Sequence, residues 1–199
     1  LSNELTEKGH KVTLCTFRDD ETDPAMSFNL QFLNEKVHYV NLKISSGLSI
    51  KKINRIENLV KNIRPDIIHC HGWMTALAPL YIKKAYKDEP SFRDSKVIFS
   101  VYEDDFKSSF NNDFTSKLLL KGIEEDNLKS INKPVDYTEL IKLAISYSDG
   151  VIQNSESVNQ DVMKFANESG IPILDYQSPD NYIEAFDQFY DQVWETEKK

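Results

Sequence analysis

The stretch RPDIIHCHGWMTALAPLY, Arg64 to Tyr81, decides how the rest of the chain is read. Arg64-Pro65 ends the element before it, because a proline ring disfavours helical backbone in the residue that precedes it. Residues 66–70 are a short apolar run of the kind that forms a buried strand. Gly72 permits a tight turn or a close backbone approach, and residues 75–86 read as a helix. In the strand, His69 and His71 point to one face and Cys70 to the other, so the three do not converge on one metal ion. His69 reads as a packed or hydrogen-bonded core residue. His71, at the strand end, is a candidate to face a ligand.

The same alternation extends in both directions. Upstream, residues 1–8 read as a short helix closed by Gly9, residues 12–17 as a strand, residues 18–34 as a polar loop and residues 37–42 as a second strand. Ser49 can cap a helix over residues 49–63, with Ile50, Ile53, Ile56, Leu59, Val60 and Ile63 at helical spacing. Downstream, residues 96–101, 150–153 and 171–174 read as strands. Residues 114–120, 137–147, 155–168 and 181–195 read as helices, the third with Ser155 as its N-cap. Ile183, Phe186, Tyr190, Val193 and Trp194 share one face of the last helix, which reads as core. Strands alternating with helices predict an α/β fold, an open parallel sheet flanked by helices in the Rossmann-like manner. Residues 107–135 are the least regular and read as an insertion over one end of the sheet. Residues 195–199 read as a frayed end.

Composition narrows the classes. The 199 residues are 40% hydrophobic and 28% charged with both signs mixed, enough for a packed core and too balanced for wholesale disorder. A net charge of −8 repels phosphate backbones, which argues against a nucleic-acid partner. Cys15 and Cys70 lie in apolar runs and read as buried free thiols, pointing to a reducing compartment, the cytoplasm. No apolar run has the length of a membrane span, and no signal peptide is visible. The chain begins at Leu1, and its first residues read as the middle of a helix, so the natural protein is expected to start earlier.

In open parallel sheets ligands sit beyond the carboxyl ends of the strands. That rule selects residues 16–19, 70–75, 102–105 and 154–156. The helix expected after Gly72 offers backbone N–H groups that can receive an anion. Glu103-Asp104-Asp105 can perform acid–base work, yet such clusters more often cap helices and hold loops. Asn154-Ser155-Glu156 reads as a helix cap, with ligand contact as the alternative. The six glycines lie too far apart for a dinucleotide fingerprint or a phosphate loop. No nucleophile elbow is present.

Residues 64–81 closely resemble a signature of glycogen and starch synthases, in which a Pro-Asp strand leads to His-x-His-Asp-Trp, a small polar link and Ala-Leu-x-Pro-x-Tyr. Residues 96–101 look like that family's next strand, and YSDGVIQNS, Tyr147 to Ser155, resembles its Ala-Asp strand and the turn after it. Residues 65–194 resemble short, single-domain members of the Bacteroidetes type. Residues 1–16 are closer to the broader group of retaining glycosyltransferases of the same two-domain architecture. Four departures stand out. Gly72 takes the place of the motif Asp, Tyr102-Glu103 takes the place of His-Asn, and neither the glycine-rich loop of the first strand nor the second, nucleotide-binding Rossmann domain has a counterpart.

The resemblance implies that residues 1–199 are one amino-terminal, acceptor-side domain, half of a GT-B fold, and the start at Leu1 leaves the family's first strand without a counterpart. It implies transfer of glucose from a nucleotide sugar, ADP-glucose or UDP-glucose, to an α-1,4-glucan, with no metal and no cofactor. His71, Gly72, Trp73, Thr75, Tyr102, Glu103 and Ser155 are the implied substrate-binding residues. The implied partners are the α-glucan and a separate nucleotide-binding domain or subunit. A glucan-binding or regulatory module without turnover, and a fragment without function of its own, stand beside the enzyme as alternatives.

Overall fold

All six residues of strand β4, Lys96–Val101, are buried, and the fold is arranged around it. The computed structural model describes residues 1–16, 32–41, 63–120 and 122–196. It divides into two compact units, Leu1–Asn62 and Ile63–Lys199. The first contains helix α1 (Ser2–Glu7) and a two-stranded parallel sheet of β1 (Thr13–Thr16) and β2 (His38–Asn41). Gly9 closes α1 with φ +101°, a conformation suited to glycine. Residues 18–31 of the loop expected over 18–34 and residues 49–62 of the helix expected from Ser49 lie outside the described residues, as do residues 17–19 of the first candidate group.

The second unit holds a four-stranded parallel sheet in the order β3 (Ile67–His71), β4, β5 (Gly150–Gln153), β6 (Ile173–Leu174). Each strand lies beside the next in sequence, and helices fill the connections, as parallel pairing requires. They include α2 (Ala78–Leu80), α3 (Phe114–Leu118), α4 (Tyr137–Ser146), α5 (Gln160–Ser169) and α6 (Tyr182–Glu195). The chain is thus an α/β protein of parallel sheets flanked by helices.

In the register of the sheet, His69 lies opposite Ile98 and Ile98 opposite Gly150. Helix α6 covers this face: Tyr190 reaches His69, and Phe189 and Val193 crowd Gly150. Helix α4 packs against β4 and α5 and buries Leu140, Ile141, Leu143, Ala144 and Ile145. Each such aliphatic side chain contributes about 1.5–3 kcal/mol by leaving water. At the amino end of β4, the Asp149 carboxylate accepts the Val97 N–H at 2.6 Å and pairs with Lys83 at 2.6 Å. Buried Lys96 reaches the Thr196 carbonyl at 2.6 Å and so closes the end of α6.

All six expected strands are present, though several elements differ in detail. Helix α5 starts at Gln160, not near Ser155, because the Asn159 side chain accepts the N–H groups of Asp161 and Val162 and is the cap. The helix expected over residues 75–86 is broken into a 3₁₀ turn (Trp73–Thr75), the short α2 and a π turn (Tyr81–Ala85). Pro79 within it has no N–H to give to a helical ladder. Trp194, expected in the core, is 44% exposed. It lies about 100° around the helix from Val193, and Phe189 is buried on the core face instead. Cys15 and Cys70 are free, and burial pushes their thiols up to about 11 and about 12. Among the described residues no helix is long and apolar enough to cross a membrane.

Gly150 gives a direct test of the β5–α6 contact. A Cβ there would meet Val193 Cγ2 at 2.8 Å and Phe189 Cζ at 3.1 Å. Gly150→Ala is expected to destabilise the second unit by about 1–3 kcal/mol through overpacking, read as a lower urea midpoint.

Candidate functional site

The carboxyl ends of β3, β4 and β5 bring the expected residues together. Gly72 continues the ladder by donating its N–H to Ser100, and Asn154 does the same to Val101. His71 stands exposed at the end of β3, with Nδ1 hydrogen-bonded to the Tyr102 hydroxyl at 2.8 Å. The Asn154 side chain also bonds the Tyr102 phenol, and burial raises that phenol to about 12. The Glu103 N–H donates to Ser155 Oγ at 3.1 Å, which ties the loop after β4 to the loop after β5. Thr75 Oγ1 donates to the Gly72 carbonyl at 3.0 Å and closes the 3₁₀ turn. His71, Gly72, Trp73, Thr75, Tyr102, Glu103 and Ser155 therefore line one edge of one sheet.

Beneath this edge lies a part-buried polar cluster. His69 bonds Tyr190 through Nδ1 and Ser100 through Nε2, both at 2.7 Å, and its ring lies 3.9 Å from that of His71. Burial, joined by the neighbouring His71, holds His69 well below its ordinary range, so it is neutral. It is the packed, hydrogen-bonded core residue that its position in the strand predicts. Among the described residues no group of three or more His, Cys, Asp or Glu side chains could hold a metal ion.

Three residues outside the seven implied by the resemblance shape the site, and Asp104 among them lies in the expected strand-end group 102–105. Asp104 Oδ2 accepts the Trp73 N–H at 3.2 Å and Oδ1 accepts the Tyr137 hydroxyl at 2.8 Å. Burial, joined by Asp104, pushes the Tyr137 phenol far above its ordinary value, so it stays a donor. Phe106 meets the Trp73 ring edge-on at 5.2 Å and the Tyr137 ring at 5.5 Å. The N–H expected to receive an anion is thus already held by a carboxylate of the chain itself. That turn is only three residues long, too short to build an appreciable dipole. Sequence reading reached the Glu103–Asp105 group and its loop-holding role. Asp105, exposed, accepts from Asn159 Nδ2 at 2.8 Å in that same role. Phe106 and Tyr137 carried no signal, since an aromatic beside a loop looks like any core residue.

The family described as the starch synthase catalytic domain matches residues 48–172, more than half of the chain. The chain belongs to this starch synthase family. It is 32% identical to the glycogen synthase of Fusobacterium nucleatum over 107 residues, which cover 52% of this chain and 21% of that protein. It is 28% identical to the glycogen synthase of Photobacterium profundum over 147 residues, 73% of this chain and 28% of that protein. The glycogen synthase of Chlorobium phaeovibrioides is 24% identical over 141 residues, 71% of this chain and 26% of the relative. The chain thus spans between a fifth and three tenths of the length of these relatives. No solved structure matches. The whole strand-end edge, from His71 to Ser155, lies within the stretch matched to the starch synthase family.

Neutral His69 makes stability depend on pH. An unfolded histidine takes up a proton below about 6.5, while the folded site keeps His69 neutral to well below that. Between those limits the unfolded chain binds the extra proton, so stability falls as pH drops below 6.5. His71 is lowered too, to about 4, so His69→Gln is expected to flatten part of this acid limb in melting temperatures measured from pH 7 to pH 5, while lowering the melting temperature at pH 7.

Proposed function

We propose that this chain is the acceptor-side domain of a retaining glycosyltransferase of the glycogen synthase type, half of a GT-B architecture. In this reading a partner domain or subunit holds ADP-glucose or UDP-glucose, and the edge formed by His71, Trp73 and Tyr102 holds the non-reducing end of an α-1,4-glucan. The observation that carries it is the family match over residues 48–172, which contains that whole edge. The local chemistry agrees with a neutral polyol at this edge. Imidazole, indole and phenol offer flat faces and hydrogen-bonding tips, a mixture suited to sugar rings. The anion-receiving N–H is occupied by Asp104, and Glu103 and Asp105 add exposed negative charge, so a phosphate group is better accommodated elsewhere.

A second reading has its own observation. Gly72 stands where the family pattern has Asp, and Tyr102 where it has His, which favours a module that binds glucan without turnover. Incubating the full-length natural protein with radiolabelled ADP-glucose or UDP-glucose and glycogen separates the two. Incorporation establishes transfer, and retardation on glycogen gels without incorporation establishes the module. Under either reading, Trp73→Ala is expected to weaken retention on glycogen gels roughly tenfold. Unchanged mobility of the parent protein would remove the glucan altogether.

A further inference from the structure

Gly72 and Asp104 compete for one volume. Gly72 holds φ +68° and ψ 175°, a region of backbone space open to glycine and all but closed to any residue with a Cβ. A Cβ placed on it would lie 2.7 Å from Asp104 Oδ2. The carboxylate therefore fills the space that a side chain at position 72 would enter. From there it reaches both the Trp73 N–H and the Tyr137 hydroxyl. Tyr137 is the first residue of α4, and its hydroxyl also reaches the Tyr102 carbonyl at 3.2 Å. One side chain thus joins the turn after β3, the loop after β4 and the start of α4.

We propose that Asp104 is the positioning residue of this edge, a carboxylate delivered from the loop after β4 into the place of a residue-72 side chain, where it sets the position of Trp73. The proposal rests on the reading of this edge as ligand-facing. The family pattern carries an acid at position 72 itself. In this chain the acid arrives from the neighbouring strand end, and glycine at position 72 makes the room for it. A backbone N–H held by a carboxylate is held more firmly than by a neutral acceptor. The same loop presses Phe106 against the indole, so residues 104–106 fix Trp73 by both its amide and its ring.

Trp73 and Trp194 are the only tryptophans, so Trp194→Phe leaves Trp73 as the sole indole reporter in the full chain. In that background, Asp104→Ala is expected to raise hydrogen exchange at the Trp73 amide roughly tenfold to a hundredfold. It should also increase acrylamide quenching of the indole and weaken maltoheptaose binding. Asp104→Asn keeps a carbonyl acceptor and should recover most of the protection and the binding. Gly72→Ala should act in the same direction as Asp104→Ala, and the two together should fall short of their sum. If Asp104→Ala does not fold, Gly72→Ala against Asp104→Asn makes the same comparison. Unchanged exchange at Trp73, or strictly additive effects of the two positions, overturns the proposal. Lost protection in a protein whose parent does not bind maltoheptaose upholds the positioning role and removes the glucan reading, so the two failures are distinguishable.

Discussion

Strand β4 can be buried along its whole length only because its polar groups find partners inside the protein. Its backbone pairs with β3 on one side and β5 on the other. The Val97 N–H is taken by Asp149, the Ser100 hydroxyl by His69, and the Lys96 ammonium by the Thr196 carbonyl just beyond α6. A buried polar group left unpaired costs about 1–3 kcal/mol. These partners come from β3, from the turn before β5 and from the carboxyl-terminal end, so satisfying one strand ties distant parts of the second unit together.

The two ends of that strand differ in chemistry. At the amino end a cation and a carboxylate close the sheet, through Lys83 and Asp149. At the carboxyl end the strands open into loops joined by phenols, imidazoles and carboxylates. Burial raises the phenols of Tyr102, Tyr137 and Tyr190, so each keeps its proton at neutral pH and remains able to donate it. The hydrogen-bond pattern of the edge is therefore insensitive to mild alkali. His69 and its neighbour His71 are both held below the ordinary histidine range, so this pair responds to acid. In the proposed reading, an edge presenting polar tips and flat rings suits a sugar surface, where orientation comes from many modest contacts instead of one strong charge.

Residues 64–81 carried the strand, the break at Gly72 and the family, since periodicity, proline and glycine are local signals. The six strands and the placement of His71, Tyr102 and Ser155 at one sheet edge followed from alternation and from the strand-end rule. Local signals also misled. Ser155 has the chemistry of a cap and stands before a helical pattern, yet Asn159 caps the helix and Ser155 holds Glu103. Trp194 shares an apolar stripe with Val193, yet the indole turns outward.

By itself the sequence determined the fold class, the family and the set of strand ends at which function is to be sought, because each depends on residue types at fixed spacing along the chain. Only the tertiary structure decided that Gly72 is matched by Asp104. Trp73, next to Gly72, and Asp104 are 31 positions apart, and their meeting depends on the parallel register that sets His71 against Ser100. No pattern along the chain encodes that a carboxylate on one strand end fills the space vacated on another. It is a consequence of packing, where the absence of a Cβ at one position and the reach of a side chain at another are resolved in the same few cubic ångströms.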